Sequence, residues 1–195
     1  MHAGDRSETE EEVMEATYAA LAEHGYAGLT VQTIADAFPK SKSLLYYHYD
    51  DKEAILRDFI DYLVDAFRAA FEFEGADDPP AALERMLDGL LPREMDDEFR
   101  DFRVAVMELL AQAPHEPAYA ERFADLYAAI HDGFAGVIAA GVERGDFADV
   151  DPEETATMLV AAASGGLTWG VTIRPSLVAG VREVVDGYLA AELYL

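Results

Sequence analysis

Two short helix-forming runs separated by an enforced turn constrain this chain more than anything else in it. The stretch is Thr30 to Lys52, TVQTIADAFPKSKSLLYYHYDDK. Thr30 can cap a helix, and Val31, Ile34 and Phe38 follow at helical spacing, which predicts a helix from about Val31 to Ala37 with those three inward. Pro39 stops it. Ser41 offers a second cap, and Leu45 and Tyr49, one turn apart, give the next helix its inner edge. Two short helices joined by a tight turn make a helix-turn-helix, whose second helix enters a major groove while the first lies across the backbone. Charge points the same way: all three lysines lie in this stretch, and no acid occurs from Ala37 to Tyr49, in a chain of formal net charge −25.

Rotating the second helix by 100° per residue assigns its faces. With Leu45 and Tyr49 inward, Ser43, Leu44 and Tyr47 lie opposite, flanked by Lys42, Tyr46 and His48. Ser43 and the first-turn N–H groups, with Ser41 at the cap, can reach base edges or phosphates, and Leu44 can lie on a thymine methyl. Lys42, Tyr46 and His48 suit phosphate oxygens, as does Lys52 at the start of the following helix. Gln32 and Thr33 are expected to reach phosphate or a base edge from the first helix.

The segment LTVQTIADAFPKSKSLLYYHYDDKEAIL, with EHGYAGLT running into it, resembles the DNA-binding domain of the TetR/AcrR family of transcriptional regulators. Leu45, Tyr46, Tyr47, His48, Tyr49 and Lys52 fall on the family's strongest signature. The likeness is specific over roughly the first 56 residues; beyond them it rests on length, helicity and GVERGDFADVDPEETATMLVAAASGGL. Where the family usually has Gly-Val in the turn this chain has Pro39 and Lys40, and where it often has Gly-Thr it has Ser43 and Leu44. The lost Thr hydroxyl removes a polar contact the family often uses. From the residues alone, a helical protein-interaction module without DNA binding stands as the alternative.

Acidity is the unusual part of the composition, with 39 Asp and Glu against 14 Lys and Arg. Self-repulsion from phosphate must be overcome if such a chain binds nucleic acid. Either the acids face away from the duplex, or the protein works in a salt-rich, halophilic cytoplasm. At about 1 M salt the Debye length is only about 3 Å, so distant acids no longer repel DNA. The chain has no cysteine, no signal-like apolar start and no run long enough to span a bilayer, which predicts a soluble cytoplasmic protein.

Taken in order, the chain reads as all-α. Residues 1 to about 7 make a tail in which only Arg6 could serve a minor groove. A helix from about Glu8 to His24 buries Val13, Met14, Thr17, Ala20 and Leu21 and ends at Gly25. A longer one from Lys52 to about Phe73 carries Leu56, Phe59, Ile60, Leu63, Phe67 and Phe71 on one side, and links the two parts mechanically. After the turn cluster Gly75–Pro80, helices are expected from Asp78 to about Leu91, from Asp96 to Ala113, and from Pro117 to Arg144 with Gly145 as its cap. The penultimate helix, opened by Asp151-Pro-Glu-Glu and running to about Arg174, carries the small-residue run Ala161–Gly166; a last one bears Val178, Val181, Val185, Tyr188 and Leu189. The expected division is residues 1–52, a three-helix DNA-binding domain, and 53–195, a helical domain for dimerisation and ligand binding.

The resemblance implies a homodimer formed through the last two helices, which a palindromic double-stranded operator requires, and a small-molecule effector bound among the middle helices. Arg103, Met107, Tyr127, His131 and Trp169 are the candidates for that pocket, because they set polar or large aromatic groups beside apolar stripes. No phosphate loop, zinc motif or nucleophile elbow occurs, so neither enzymatic activity nor a cofactor or metal is expected. His131-Asp132 and His115-Glu116 read as surface pairs.

Overall fold

The computed structural model describes residues 6–70 and 78–195. Ser7 opens α1 (Glu8–Gly28) with a reciprocal capping box: its hydroxyl accepts from the Glu10 N–H while the Glu10 carboxylate accepts from the Ser7 N–H at 2.8 Å. The regular helix breaks at Gly25, whose φ of 65° only glycine adopts without strain, and a last turn carries the chain to Gly28. The following elements are α2 (Val31–Ala37), α3 (Lys42–His48), α4 (Lys52–Ala70), α5 (Pro79–Leu90), α6 (Asp97–Leu110), α7 (Pro117–Arg144), α8 (Pro152–Thr172) and α9 (Ser176–Tyr188). Among the described residues there is no strand, and the expected all-α class holds.

The chain divides into two compact units, Met1–Ala69 with Asp97–Leu126 and Ala70–Asp96 with Tyr127–Leu195. In the first, α1 gives Val13, Met14, Thr17, Ala20 and Leu21 to the core, as its spacing predicts. The Thr17 hydroxyl donates to the Val13 carbonyl at 2.7 Å, so its burial leaves no polar atom unmatched. Ile34 from α2, Leu45 from α3, Leu56, Phe59 and Ile60 from α4, Leu109 from α6 and Tyr119 from α7 complete that core. Each such apolar side chain contributes roughly 1.5–3 kcal/mol by leaving water. Tyr18 stacks on Phe102 with centroids 4.3 Å apart, one of the contacts by which α6 packs along α1.

In the second unit, Leu83, Met86 and Leu87 of α5, Phe134, Val137 and Ile138 of α7, Leu159 and Val160 of α8 and Val178 and Val185 of α9 are buried together. Asp151 caps α8 by accepting from the N–H groups of Glu153 and Glu154, and Pro152 fills the first position. Two glycines of α8 are used inside the unit: a Cβ on Gly166 would meet Leu91 at 2.7 Å, and one on Gly170 would meet Val178 at 2.1 Å. A Cβ on Gly165, immediately before Gly166 in the small-residue run, would meet nothing within 4 Å. Beyond α9 the backbone widens into a π turn, Leu189–Leu193, and Tyr194 pairs with Phe147 in an isolated antiparallel bridge.

Some boundaries differ from the sequence-based expectation. Helix α6 stops at Leu110 rather than Ala113, because 111–115 fold into successive turns before Pro117 starts α7. Helix α8 ends at Thr172. Tyr127 of α7, a candidate for the effector pocket, is 51% exposed. Phe71 and the turn residues 75–77 lie outside the described residues, as does any extension of α4 beyond Ala70. Arg6 is tied to α4, pairing with Asp65 at 2.6 Å.

Gly141 supplies a direct test of packing in the second unit. Its carbonyl accepts from the N–H groups of Asp146 and Phe147, and a Cβ there would sit 2.1 Å from the buried Phe147 ring. Alanine is the better helix former by about 1 kcal/mol, but the ring has no free space to move into. Gly141→Ala should therefore destabilise by roughly 1–3 kcal/mol, read as a lowered urea midpoint.

Candidate nucleic-acid interface

Thr30 holds the start of α2 by accepting from the Thr33 N–H at 3.1 Å, while Thr33 Oγ1 accepts from the Thr30 N–H at 2.9 Å. The Thr33 hydroxyl, expected to reach DNA, also donates to the Thr30 carbonyl and is fully engaged in this cap. Ser41 occupies the cap position of α3 with extended backbone, but its hydroxyl makes no capping bond. Leu45 is fully buried and Tyr49 is 7% exposed, so the inward edge of α3 is the one its spacing predicts. Burial pushes the Tyr49 hydroxyl's pKa well up, and the Asp58 carboxylate beside it adds to the effect.

With that edge fixed, the opposite face of α3 is presented to solvent. Ser41, Lys42, Ser43, Tyr46, Tyr47 and His48 are all exposed, Tyr47 at 84%. The rings of Tyr47 and His48 meet edge to face at 5.5 Å. Leu44, expected among the outward residues, is half-buried and leans on the core cluster. The outward row is therefore Ser43, Tyr46, Tyr47 and His48, with Lys42 at its head.

The lysines all have partners within this unit. Lys40 reaches back to α1, donating to Thr9 Oγ1 at 3.1 Å and pairing with Glu12. Lys42 pairs with Asp36 across the turn, and Gln32 Nε2 donates to the same carboxylate oxygen at 3.0 Å. These hydrogen bonds, Lys42 first and then Gln32, hold the Asp36 carboxyl below its ordinary range. Lys52 lies over the Tyr26 ring, 4.6 Å from its centroid. Asp36 escaped the sequence analysis because its partner stands six positions on, beyond Pro39, where helical spacing carries no information. Its signal was its place as the last acid before the acid-free stretch.

Behind α3 the surface changes sign. A cleft of about 230 Å³ is lined by Glu10, Asp58, Asp61, Asp65 and Asp125 together with Arg6, Arg68 and Tyr49. Asp61 is pushed up by burial, although Arg122 donates to it at 3.1 Å. Phosphate is repelled there, so the outward row of α3 is the part of this unit suited to a duplex.

The residues proposed for an effector fall in both units. Arg103 and Met107 are half-buried on α6, with the Arg103 guanidinium over the Phe99 ring at 4.8 Å. In the second unit His131 stacks on Tyr127 and shares a hydrogen bond with the Thr157 hydroxyl at 3.0 Å, while Trp169 is 51% exposed. His131 Nδ1 also approaches Asp132 and Glu153 at 3.7 and 3.8 Å, closer than adjacent positions on a helix suggest. Among the described residues no helix is long and apolar enough to cross a membrane, and no group of three His, Cys, Asp or Glu could hold a metal.

Comparison with known proteins fits this geometry. Residues 13–59 match the tetR family of bacterial regulatory proteins, and residues 79–193 match the C-terminal region of BetI-type transcriptional repressors. The HTH-type transcriptional repressor AcnR of Corynebacterium glutamicum is 26% identical over 190 residues, covering 94% of this chain and 93% of its own. A TetR transcription regulator from Haloarcula marismortui is 36% identical with a TM-score of 0.83, over 96% of this chain and all of that one. A transcriptional regulator from Saccharomonospora viridis, crystallised with choline, shares the fold at 22% identity and TM-score 0.76, over 97% of this chain and all of that one. With a capped helix-turn-helix at one end and a matching helical region at the other, the chain belongs to the TetR family of DNA-binding transcriptional regulators.

Proposed function

We propose that this regulator is a repressor that binds a palindromic operator as a homodimer and releases it when a small-molecule inducer binds. The observation that carries the DNA-contacting part is the exposed row Ser43, Tyr46, Tyr47 and His48 on a helix whose other edge is locked by Leu45 and Tyr49. Ser43 and Tyr47 read base edges, and Lys42, Tyr46, His48 and Lys52 position the phosphates. Gln32 assists from α2 and Ser41 from the turn. Thr33 acts through the cap it makes, and Leu44 by its exposed edge against a thymine methyl.

Dimerisation through α8 and α9 is supported by charge. From Thr155 to Ile173 the chain carries no charged residue, although it holds 39 acids in all. On the exposed side of α8 stand Thr157, Ala161, Ser164, Thr168 and Trp169, and on that of α9 Gly180, Val184 and Gly187. Apart from Glu183 on α9 this surface is uncharged, and its small residues let a second copy approach closely. The functional division is by task, 1–52 for DNA and 53–195 for assembly and sensing. Arg103, Met107, Tyr127, His131 and Trp169 are the residues to vary in search of the inducer, and coupling between the two ligands is reciprocal. The protein acts in the cytoplasm, where the net charge of −25 fits a high-salt interior.

Selection of duplexes from a random library, repeated from dilute buffer to molar KCl, tests the proposal. Two inverted half-sites with centres about 34–36 Å apart, or somewhat further, are expected. Failure to enrich any duplex at any salt concentration would favour a protein-interaction module instead.

A further inference from the structure

We propose that Asp36 is an internal rival of DNA phosphate, occupying Lys42 and Gln32 in the free protein and surrendering them when a duplex docks. The inference rests on the DNA-binding reading above. One oxygen of Asp36 takes the Lys42 ammonium and the Gln32 amide together, so two of the polar groups nearest the head of α3 are held by a single carboxylate.

Three features separate this pair from an ordinary surface contact. Its members remain wet, with side chains 50% and 59% exposed, so it opens at little cost. The Lys40–Glu12 pair is drier at 34% and 23% and ties the turn to α1, which makes Lys42 rather than Lys40 the exchangeable lysine. Asp36 also stands in the last turn of α2, where the helix dipole disfavours an acid and opposes the small gain from its i,i+4 bond with Gln32. A phosphate oxygen arriving at Lys42 meets the same ammonium from the solvent side and displaces a like-charged competitor. Breaking the Lys42–Asp36 pair offsets part of what the phosphate contact contributes, so attachment to any duplex is weakened.

The test compares wild type, Asp36→Asn, Lys42→Ala and the double variant on two fluorescently labelled duplexes, one recovered by selection and one of unrelated sequence. Thermal melts accompany them to establish folding. Asp36→Asn is expected to bind the unrelated duplex roughly two- to fivefold more tightly per reading head. The slope of log K against log salt should change by well under ~0.9 per head, because the Lys42 contact to phosphate is made in both proteins. The gain in affinity should vanish on the Lys42→Ala background. Equal affinity in wild type and Asp36→Asn, a gain that survives loss of Lys42, or a slope steeper by a full ~0.9 per head overturns the proposal while leaving DNA binding intact. If wild type binds neither duplex, the DNA-binding reading fails and this inference goes with it.

Discussion

Arg182→Ala is expected to destabilise the protein by about 3 kcal/mol, at the lower end of what breaking a buried ion pair costs. Arg182 is 1% exposed on α9, and each of its three side-chain nitrogens donates. Nε donates to Asp186 at 2.8 Å, Nη1 to Asp88 at 2.7 Å and to the Leu91 carbonyl at 3.2 Å, and Nη2 to Glu84. Arg93 closes the network from outside by pairing with Asp186 and Glu84, and the Tyr194 hydroxyl donates to Glu84 at 3.2 Å. Alanine would leave three carboxylates facing one another and a carbonyl without its donor. The cost stays near the lower end because Glu84, Asp88 and Asp186 keep 38%, 61% and 27% of their side-chain surface in water.

Urea unfolding measures the loss, and Arg182→Lys should recover only part of it, since an ammonium cannot span the same four acceptors. The pH profile gives a second readout. Desolvation would raise the Asp186 carboxyl, but hydrogen bonds from Arg182 and Arg93 outweigh it and hold the group below 3.8. A lowered folded pKa contributes stability that is complete above 3.8 and lost as pH falls through the folded value. The variant should show a smaller acid limb, since Arg93 still pairs with Asp186. An unchanged urea midpoint would mean that the network carries no net stability.

Arg182 also marks what local pattern can and cannot disclose. Val178 and Val185 fix the buried stripe of α9, and position 182 lies four residues from one and three from the other. The expected stripe carried Val181, whereas the structure buries Arg182 beside it. Its partners on α5 are not legible, because Glu84 and Asp88 stand more than ninety positions away. The same distinction runs through the reading unit. Thr30, Pro39, Leu45 and Tyr49 set the ends and faces of α2 and α3 by contacts within a turn or two, and those predictions hold. What the lysines do depends on Glu12, Asp36 and Tyr26, which the turn and the packing bring to them. The expected cationic island is therefore largely neutralised in the free protein. Positive charge alone is therefore a poor account of how so acidic a chain holds DNA, and the proposed interface shifts weight to aromatic and hydroxyl groups.

Tyr47→Ala tests that shift of emphasis. Tyr47 has 84% of its surface in water and its neighbour Leu45 has none, so truncation removes reach without opening the core. Stability should change by no more than about 0.5 kcal/mol, as for other exposed positions. A good base contact is worth roughly 1–3 kcal/mol, and a symmetric dimer loses it twice, so operator affinity should fall on the order of 10²-fold or more. Affinity for unrelated duplexes should fall far less, because phosphate contacts persist there. Tyr47→Phe separates the ring from the hydroxyl: retention of binding assigns the contact to stacking or apolar packing, and loss equal to alanine assigns it to the hydroxyl. Loss of affinity in equal measure for operator and unrelated DNA would move Tyr47 from reading bases to holding phosphate. No loss for either would remove the outward face of α3 from the interface.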